Sequence, residues 1–467
     1  MGTPRGWVRT EDGSLTIFGL FAFATCCAIG ALAFDVSKLV AARTQLQAAA
    51  DAAAHAAIYW REDHSPAEAR ARAIEIARTN MPSAAFGEVL RPENIHFGRW
   101  DDDGRVFEID PSDTLAEAVM VRTDRLSENG NPVSAILMQF VGIPAFDVVT
   151  STVFEAYVDP CAYEGFLAAG PVDMQSNNAF TNGFCIHGAY VKVGSGNYFE
   201  DGVVVSMPDT RDIEMPTSGF ESNPGLEESL RNALVSTRIL NRLTDIYENY
   251  DNPQSPHYRD WIRNGTPKRI TGKKPAATDF KAGNVYEMWC GAGAWFDGAP
   301  LSDVRTVAAG GNGNGSDKGE TGETAVDPGK ATMPGELVSD IVLITDCALK
   351  FNEGAALENV LIINFNTSPG SFNAPSGLRL GRDDDCAVDG GAQLVTWGGL
   401  DVASKLEMYG SQIIARKNVV FAANADGIRG AAIVSGGTID GASNMAFGNC
   451  DTGMEDNFVL HSFRMRS

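Results

Sequence analysis

Several signatures of catalysis and ligand binding are missing from this chain. It has no CxxC pair and no Cys/His spacing that suits zinc, so its eight cysteines form no metal motif. It also lacks a GxxxxGK[ST] phosphate loop, which excludes a P-loop ATPase, and a GxSxG nucleophile motif. With no cofactor motif present, the sequence predicts a protein that is not an enzyme and that needs no cofactor.

Positive charge is also scarce. The 467 residues carry 60 acidic and 37 basic side chains, for a net charge of −23. Such a balance argues against nonspecific binding to nucleic acid or to an anionic lipid surface, and favours a solvated acidic exterior. The length leaves room for two or three domains.

Charge and proline are both absent from residues 15–34, LTIFGLFAFATCCAIGALAF. Twenty apolar residues are what a helix needs to cross a bilayer, so we predict a transmembrane helix at 15–34 after a cytoplasmic tail at 1–14. A cleaved signal peptide would have a shorter apolar core and an Ala-x-Ala-like exit, which favours an uncleaved anchor. Arg5 and Arg9 favour a cytoplasmic N-terminus, although Lys38 and Arg43 on the other flank weaken that preference.

The residues after the span continue as a helix without glycine or proline, from Asp35 to Trp60. Asp35 is predicted to lie at the membrane edge, where its carboxylate reaches headgroups and water. A stripe of large and then small residues follows along one face. This stripe either packs lengthwise against a partner or supports the chain's own globular part, and its residues are Leu39, Leu46, Ala50, Ala53, Ala57 and Trp60.

A small sheet is predicted between Asn94 and Tyr157. Ser65-Pro66-Ala67-Glu68 is a capping box that opens a second helix, which should end near Asn80. Alternating segments around the Asp101–Gly104 turn predict a hairpin, further strands follow at 118–122 and 146–158, and a short apolar helix is predicted at 132–141. The region 35–158 is therefore expected to be a helix with a small sheet packed on it.

At this point the chain resembles a known family. EDGSLTIFGLFAFATCCAIGALAFDVSKLVAARTQLQAAADAAAHAA is similar to the N-terminal region of TadG-like proteins of the Tad (tight adherence, Flp-type) pilus system. The resemblance implies a single-pass inner-membrane protein with a pilin-like region, a large periplasmic or surface-exposed part, and other Tad pilus components as partners. Phe18 stands where prepilins carry glutamate, which speaks against cleavage after Gly13.

A second resemblance to TadG-like sequences lies in DPCAYEGFLAAGPVDMQSNNAFTNGFCIHG, where one cysteine precedes a β-rich segment that ends in another. On that basis the resemblance implies a disulfide between Cys161 and Cys185. The pairing of Cys290, Cys347, Cys386 and Cys450 stays open.

Residues 159–467 alternate short strands with Gly, Asn and Asp turns. Strands of this length fit a right-handed parallel β-helix, with a β-sandwich as the alternative. Leucines at helical spacing predict an inserted helix at 224–250. The polar, glycine-rich segment 310–330 is predicted to be a mobile loop. The overall class is α+β and membrane-anchored.

Because β-helices often carry polysaccharide-active sites, an anchored glycan-cleaving enzyme or a carbohydrate-binding module is the alternative function, with a surface glycan as ligand. Asp383 and Asp385 are the candidate catalytic carboxylates, since alternate residues of a strand project from one face. GRDDDC is read equally well as an acidic turn. His187 and His461 show no evident nucleophile or base partner in the sequence.

Overall fold

A computed structural model of the chain describes residues 12–115, 117–255, 257–290, 329–450 and 452–466. The described residues form two compact units. The first contains the chain up to Tyr157 together with the segment from His461 onward, and the second spans Val158–Leu460.

The first unit is organised by one helix of 50 residues, α1 (Asp12–Arg61), about 75 Å long at 1.5 Å per residue. Its first part, within Thr16–Phe34, exposes the side chains that the structure describes, and the mean hydropathy of the best window is 2.2. Such a helix is long and apolar enough to cross a bilayer. Its second part is amphipathic, because the face that carries Leu46, Ala50 and Ala53 is buried in the unit's own core.

The remaining α-helices and 3-10 helices are short. The capping box of the second helix is confirmed, since the Ser65 side chain bonds to the Glu68 backbone and the Glu68 carboxylate bonds back to Ser65. The other α-helices are α2 (Pro66–Asn80), α3 (Ser83–Phe86), α4 (Pro160–Tyr163), α5 (Leu226–Ser229) and α6 (Leu243–Asn249). The 3-10 helices are Pro92–Asn94, Ser127–Asn129, Met138–Val141, Thr210–Asp212, Gly219–Ser222, Arg238–Asn241 and Ala277–Asp279.

Five strands of the first unit form an antiparallel sheet in the order β2-β1-β3-β6-β28, and a separate pair is made by β4 and β5. The predicted hairpin, the strand at 118–122 and the long strand at 146–158 are confirmed as β1 and β2, β3, and β6. The strands are β1 (Ile95–Asp101), β2 (Val106–Ile109), β3 (Ala118–Arg125), β4 (Val133–Ser134), β5 (Ala145–Phe146), β6 (Val148–Tyr157) and β28 (Ser462–Arg466).

The predicted domain 159–467 is wrong at its C-terminal end, because the last strand belongs to the first unit. β28 pairs with β6, from Ser462 opposite Tyr157 to Arg466 opposite Val153. Glu155 holds this pair by accepting hydrogen bonds from Arg464 at 2.6 Å and Arg466 at 2.7 Å. The second unit is therefore an insertion between two neighbouring strands of the first unit's sheet.

The second unit contains the other 21 strands, and every pairing described among them is parallel. They are β7 (Gly165–Ala168), β8 (Val172–Met174), β9 (Ala179–Thr181), β10 (Cys185–His187), β11 (Val191–Val193), β12 (Tyr198–Phe199), β13 (Val204–Met207), β14 (Leu230–Asn232), β15 (Asn264–Arg269), β16 (Asn284–Met288), β17 (Lys330–Met333), β18 (Leu337–Thr345), β19 (Ala348–Phe351), β20 (Ala355–Asn364), β21 (Phe372–Ala374), β22 (Leu378–Leu380), β23 (Ala392–Thr396), β24 (Leu400–Ala415), β25 (Val419–Ser435), β26 (Ile439–Gly441) and β27 (Ala446–Gly448).

Two of the longer strands in this unit, β18 and β20, contain continuous apolar runs because both of their faces are covered. Ile362 and Leu394 are in register and point into the main core, while the next residues, Ile363 and Val395, belong to a second buried cluster. The second cluster includes Leu240, Leu243 and other residues of the segment 233–263, which crosses from β14 to β15. That crossing segment covers the outer face of these paired parallel strands.

The row of paired parallel strands that contains β7 is called the main ladder here, and the chain enters it in its middle. β7 pairs with β10 on one side and with β25 on the other, so the first and last turns of the unit are neighbours. From β10 the ladder runs to β13 and β14, and from β25 it runs through β24, β23, β20, β18 and β16 to β15. The segment between β14 and β15 therefore connects the two ends of the ladder.

Two predictions about interruptions have different outcomes. The single inserted helix at 224–250 is wrong, because this stretch forms α5, β14, the 3-10 helix Arg238–Asn241 and α6. Leu226, Leu240 and Leu243 are buried against the strands in separate short pieces, whereas Leu234 between them is exposed. The predicted loop 310–330 lies outside the described residues except for its last two, and Lys330 begins β17.

Buried asparagines connect successive turns of the second unit. The Asn178 side-chain oxygen accepts from the Met445 amide at 2.9 Å, Asn197 accepts from the Asn178 amide at 2.9 Å, and Asn223 accepts from the Asn197 amide at 3.1 Å. Each asparagine also donates its side-chain amide to a nearby backbone carbonyl. In the turns between parallel strands, some buried backbone groups have no partner in the sheet. The side chains of this asparagine row bond to these groups in place of water.

Three disulfides lie in the second unit. Cys161–Cys185 is present, as the resemblance implied, and the four cysteines left open pair as Cys290–Cys347 and Cys386–Cys450. Cys26 and Cys27 are free and exposed on α1.

We expect Asn197→Ala to lower the free energy of unfolding by about 1–3 kcal/mol, because the buried Asn178 amide loses its acceptor. Chemical denaturation of the full chain in detergent would measure the change. Asn352→Ala is the matched control, since Asn352 is exposed, and it should stay within about 0.5 kcal/mol of the parent. Equal effects of the two substitutions would contradict a structural role for the row.

Candidate functional site

The junction between the apolar and the amphipathic parts of α1 is built around Asp35. Its side chain is only 1% exposed. One carboxylate oxygen accepts the Ile136 amide at 2.9 Å, and the other accepts the amides of Leu137 at 2.9 Å and Met138 at 2.6 Å. The prediction that this carboxylate contacts headgroups and water is therefore wrong, because Asp35 binds a segment of its own chain.

Local backbone geometry explains why that segment needs a carboxylate. The 3-10 helix Met138–Val141 begins there, and the first amides of a helix have no partner within the helix. An anion at this end is also favoured by the aligned peptide dipoles. The predicted helix at 132–141 is thus shortened to its last four residues, preceded by the two residues of β4.

Burial by itself would raise the pKa of Asp35, but the amides of Met138, Ile136 and Leu137 and the nearby Lys38 ammonium outweigh it and hold the pKa below its usual value. The group is therefore a carboxylate at neutral pH. Lys38, one turn further along α1, donates to the Ser134 carbonyl at 2.7 Å. Two charged side chains of α1 thus fasten the start of the segment that joins β4 to β5.

The packing stripe of α1 is directed at the chain's own first unit. Leu46, Ala50, Ala53 and Ala57 are fully buried, whereas Leu39 and Trp60 lie at the margins of the two clusters. The alanines face Ala69, Ala73 and Ala77 of α2 together with Phe97, Val119 and Val121 of the sheet. Of the two interpretations left open by the sequence, the structure supports the one in which the helix carries its own globular part.

The candidate catalytic carboxylates lie in the loop between β22 and β23, so the expectation of a shared strand face is wrong for Asp383 and Asp385. The Asp385 side chain is 95% exposed and lies 3.7 Å from Arg429, and Asp384 accepts the Ala387 amide at 3.1 Å. An acidic turn describes this stretch.

A cleft of about 520 Å³ opens beside the Cys386–Cys450 disulfide. Among the described residues that line it, Asp385 is the single carboxylate, and Arg429, Asn182, Asn449 and Thr452 supply further polar groups. Glycoside hydrolysis by two facing carboxylates needs a second acid, so these residues form a polar cleft without that pair.

His187 and His461 have partners that the sequence did not indicate. His187 Nδ1 lies 2.8 Å from Ser206 Oγ, and both side chains are buried. Burial lowers the pKa of His187 to about 4, so the ring is neutral and holds neighbouring strands together. His461 Nδ1 lies 3.8 Å from Glu62. Cys290, Asp346 and Cys347 cluster closely, but both sulfurs are in a disulfide and are not thiolate ligands.

The contact of Asp35 with Ile136–Met138 and the asparagine row escaped the sequence analysis. One available signal was the uncharged run from Pro132 to Phe146 in a strongly acidic chain, which a soluble surface loop would not need. The spacing of Asn178 and Asn197 was a second signal, because it matches the offset between Val172 and Val191 in paired strands.

Comparison with protein families finds two matches. A family described as a domain of unknown function, DUF7867, matches residues 165–294 and 321–451, which is more than half of the chain. The TadE/G-like Flp pilus-assembly family matches residues 13–73, the segment that contains the span, Asp35 and the start of α2. Neither the curated proteins nor the solved structures include a match to the chain.

We expect Asp35→Asn to speed hydrogen exchange at the Ile136, Leu137 and Met138 amides, because a neutral amide offers a single, weaker acceptor oxygen. Exchange followed by mass spectrometry on the full chain would measure it. Asp51→Asn, a carboxylate on the same helix that accepts from Gln47, is the matched control and should leave this segment unchanged.

The same contact should depend on pH in a defined direction. Because the folded-state pKa of Asp35 is lowered, its stabilising effect is complete above the unfolded value of about 3.9 and is lost as the pH falls through the lower folded value. Amide protection corrected for intrinsic exchange should thus persist at pH 5. Its loss between pH 7 and pH 5 would contradict this assignment.

Proposed function

The chain belongs to the family of the domain of unknown function DUF7867, and from that premise, together with its TadE/G-like N-terminal segment, we propose that it is a membrane-anchored structural component of Flp-type pilus assembly. The observation that carries the proposal is α1, which exposes an apolar span and then, without a break, becomes the core helix of a folded unit. A subunit of this kind would act as a minor pilin-like component that contacts other Tad pilus proteins.

The first unit supports the pilin-like part of the proposal. A long N-terminal helix packs against an antiparallel sheet. Its buried face is mainly alanine, which lets the helix approach the sheet closely. We propose that neighbouring pilus components contact the apolar part of α1, since its buried stripe is already occupied by the chain itself.

For the second unit we propose a right-handed parallel β-helix. Short strands that pair in parallel with the strands of neighbouring turns, a core on the inside and a row of asparagines at successive turns all support it. A domain of this kind would be exposed in the periplasm or at the cell surface as the adhesive or spacing part of the protein.

We propose that the N-terminus faces the cytoplasm and that the rest of the chain lies in the periplasm or at the cell surface. Three disulfides support this orientation, because such bonds persist in oxidising compartments. The second candidate function, binding of a surface glycan without turnover, is favoured by the polar cleft around Arg429 and Asn449.

The orientation predicts a specific pattern of thiol labelling. In membranes denatured without reductant, a maleimide should modify the two thiols of Cys26 and Cys27 only, and after reduction it should modify all eight. Mass-shift gels would count the labels. Eight labels before reduction would place the second unit in a reducing compartment and contradict the proposal.

The role in pilus assembly can be tested in a strain that lacks the gene. We expect pili to disappear and to return with the parent chain, but not with Leu20→Arg, because a charge within the span raises the insertion free energy, by about 2.5–3.5 kcal/mol for arginine at the centre of a helix and by less toward its ends. Electron microscopy and co-purification with the pilin would provide the readout.

Leu234→Arg is the matched control, because Leu234 is an exposed leucine of the second unit. It should restore pili fully. Normal piliation and attachment in the deletion strain itself would overturn the proposed function.

A further inference from the structure

An uncharged segment lies at the membrane end of the first unit. Residues 135–144, AILMQFVGIP, join β4 to β5, and no charged side chain occurs from Pro132 to Phe146. The side chain of Phe140 is 81% exposed, and those of Ile136, Leu137 and Ile143 are also exposed. Single exposed apolar residues are common on soluble proteins, so this exposure matters only together with where the segment lies.

The position of the segment is set by Asp35, the first residue after the span. Its three hydrogen bonds attach the backbone of Ile136–Met138 directly to that helix position. Leu32 lies about one helical turn toward the membrane on the same face and is exposed. The apolar surface of the segment is therefore continuous with the apolar surface of the span.

Most backbone amides of the segment have a partner within the chain. Ala135 donates to Pro144 at 2.9 Å, Phe140 to Leu137 at 3.2 Å and Ile143 to Met138 at 3.1 Å. The amides of Ile136–Met138, which have no carbonyl partner, are those that Asp35 accepts. In an apolar environment each unsatisfied backbone group is costly, so a loop that enters one must satisfy these groups internally.

We propose that Ile136–Ile143 inserts into the acyl-chain boundary of the phospholipid bilayer beside α1, as a second membrane contact that fixes the height and tilt of the first unit. The inference rests on the proposed membrane anchoring of α1. Lipid is favoured over a protein partner because the segment adjoins the span and carries no charge that would give a protein interface its specificity.

The experiment uses the full chain with Cys26→Ala and Cys27→Ala, which leaves the three disulfides and no other thiol. Phe140→Cys is labelled with an environment-sensitive fluorophore, and the protein is reconstituted into phosphatidylethanolamine and phosphatidylglycerol vesicles that contain lipids spin-labelled near the carbonyl. We expect a blue-shifted emission that falls to half or less with the spin-labelled lipid.

Two further positions make the result interpretable. Val106→Cys is the control, because Val106 is an exposed apolar residue of the five-stranded sheet, at its far end beyond the level of Ala118, and its label should remain unquenched. Phe21→Cys lies in the span and should be quenched most by lipids labelled deep in the chain. Introducing Asp35→Asn into the Phe140→Cys protein should weaken quenching, because the segment is released from α1.

The outcomes separate this inference from the proposed function. Quenching at position 21 with none at 140 overturns the lipid contact and leaves the anchor intact, whereas no quenching at 21 overturns the anchor itself. Protection of position 140 only when the pilin is co-reconstituted, without lipid quenching, would also overturn the proposal, because a protein would then occupy the surface.

Discussion

A single uninterrupted helix changes at Asp35 from an exposed apolar stretch to an amphipathic one with a buried face. Before that residue, α1 exposes apolar side chains, and after it the same helix buries alanine and leucine against its own sheet. A buried carboxylate at the boundary is tolerated because three backbone amides surround it. The first unit is thereby attached to the helix at the point where the span ends.

The second unit depends on a different constraint, which is the pairing of parallel strands. Parallel neighbours require a long return path, so each strand is followed by turns that carry the chain around before it pairs again. The turns bury polar backbone groups, and the rows of Asn178, Asn197 and Asn223 satisfy them. Apolar residues alone could not do this, because they neither donate nor accept hydrogen bonds.

The path of the chain explains how the second unit is inserted into the first. The chain leaves the first unit after Tyr157 and returns at Ser462, which are paired residues of adjacent strands. Within the second unit, β7 and β25 are likewise neighbours, so the insertion begins and ends next to itself. Such an arrangement lets a large unit be inserted into a small sheet without separating the strands that flank it.

Local patterns in the sequence determined the apolar span, the uninterrupted helix after it, the Ser65–Glu68 capping box and the β-rich character of residues 165–450, because these depend on residues a few positions apart. Tertiary structure alone decided the partner of Asp35, the pairing of β28 with β6 and the order of the parallel ladder. It also showed that Asp383 and Asp385 share no strand face. The physical reason is that a carboxylate, an amide or a strand edge takes its partner from whatever the fold brings near, and here those partners lie many residues away along the chain.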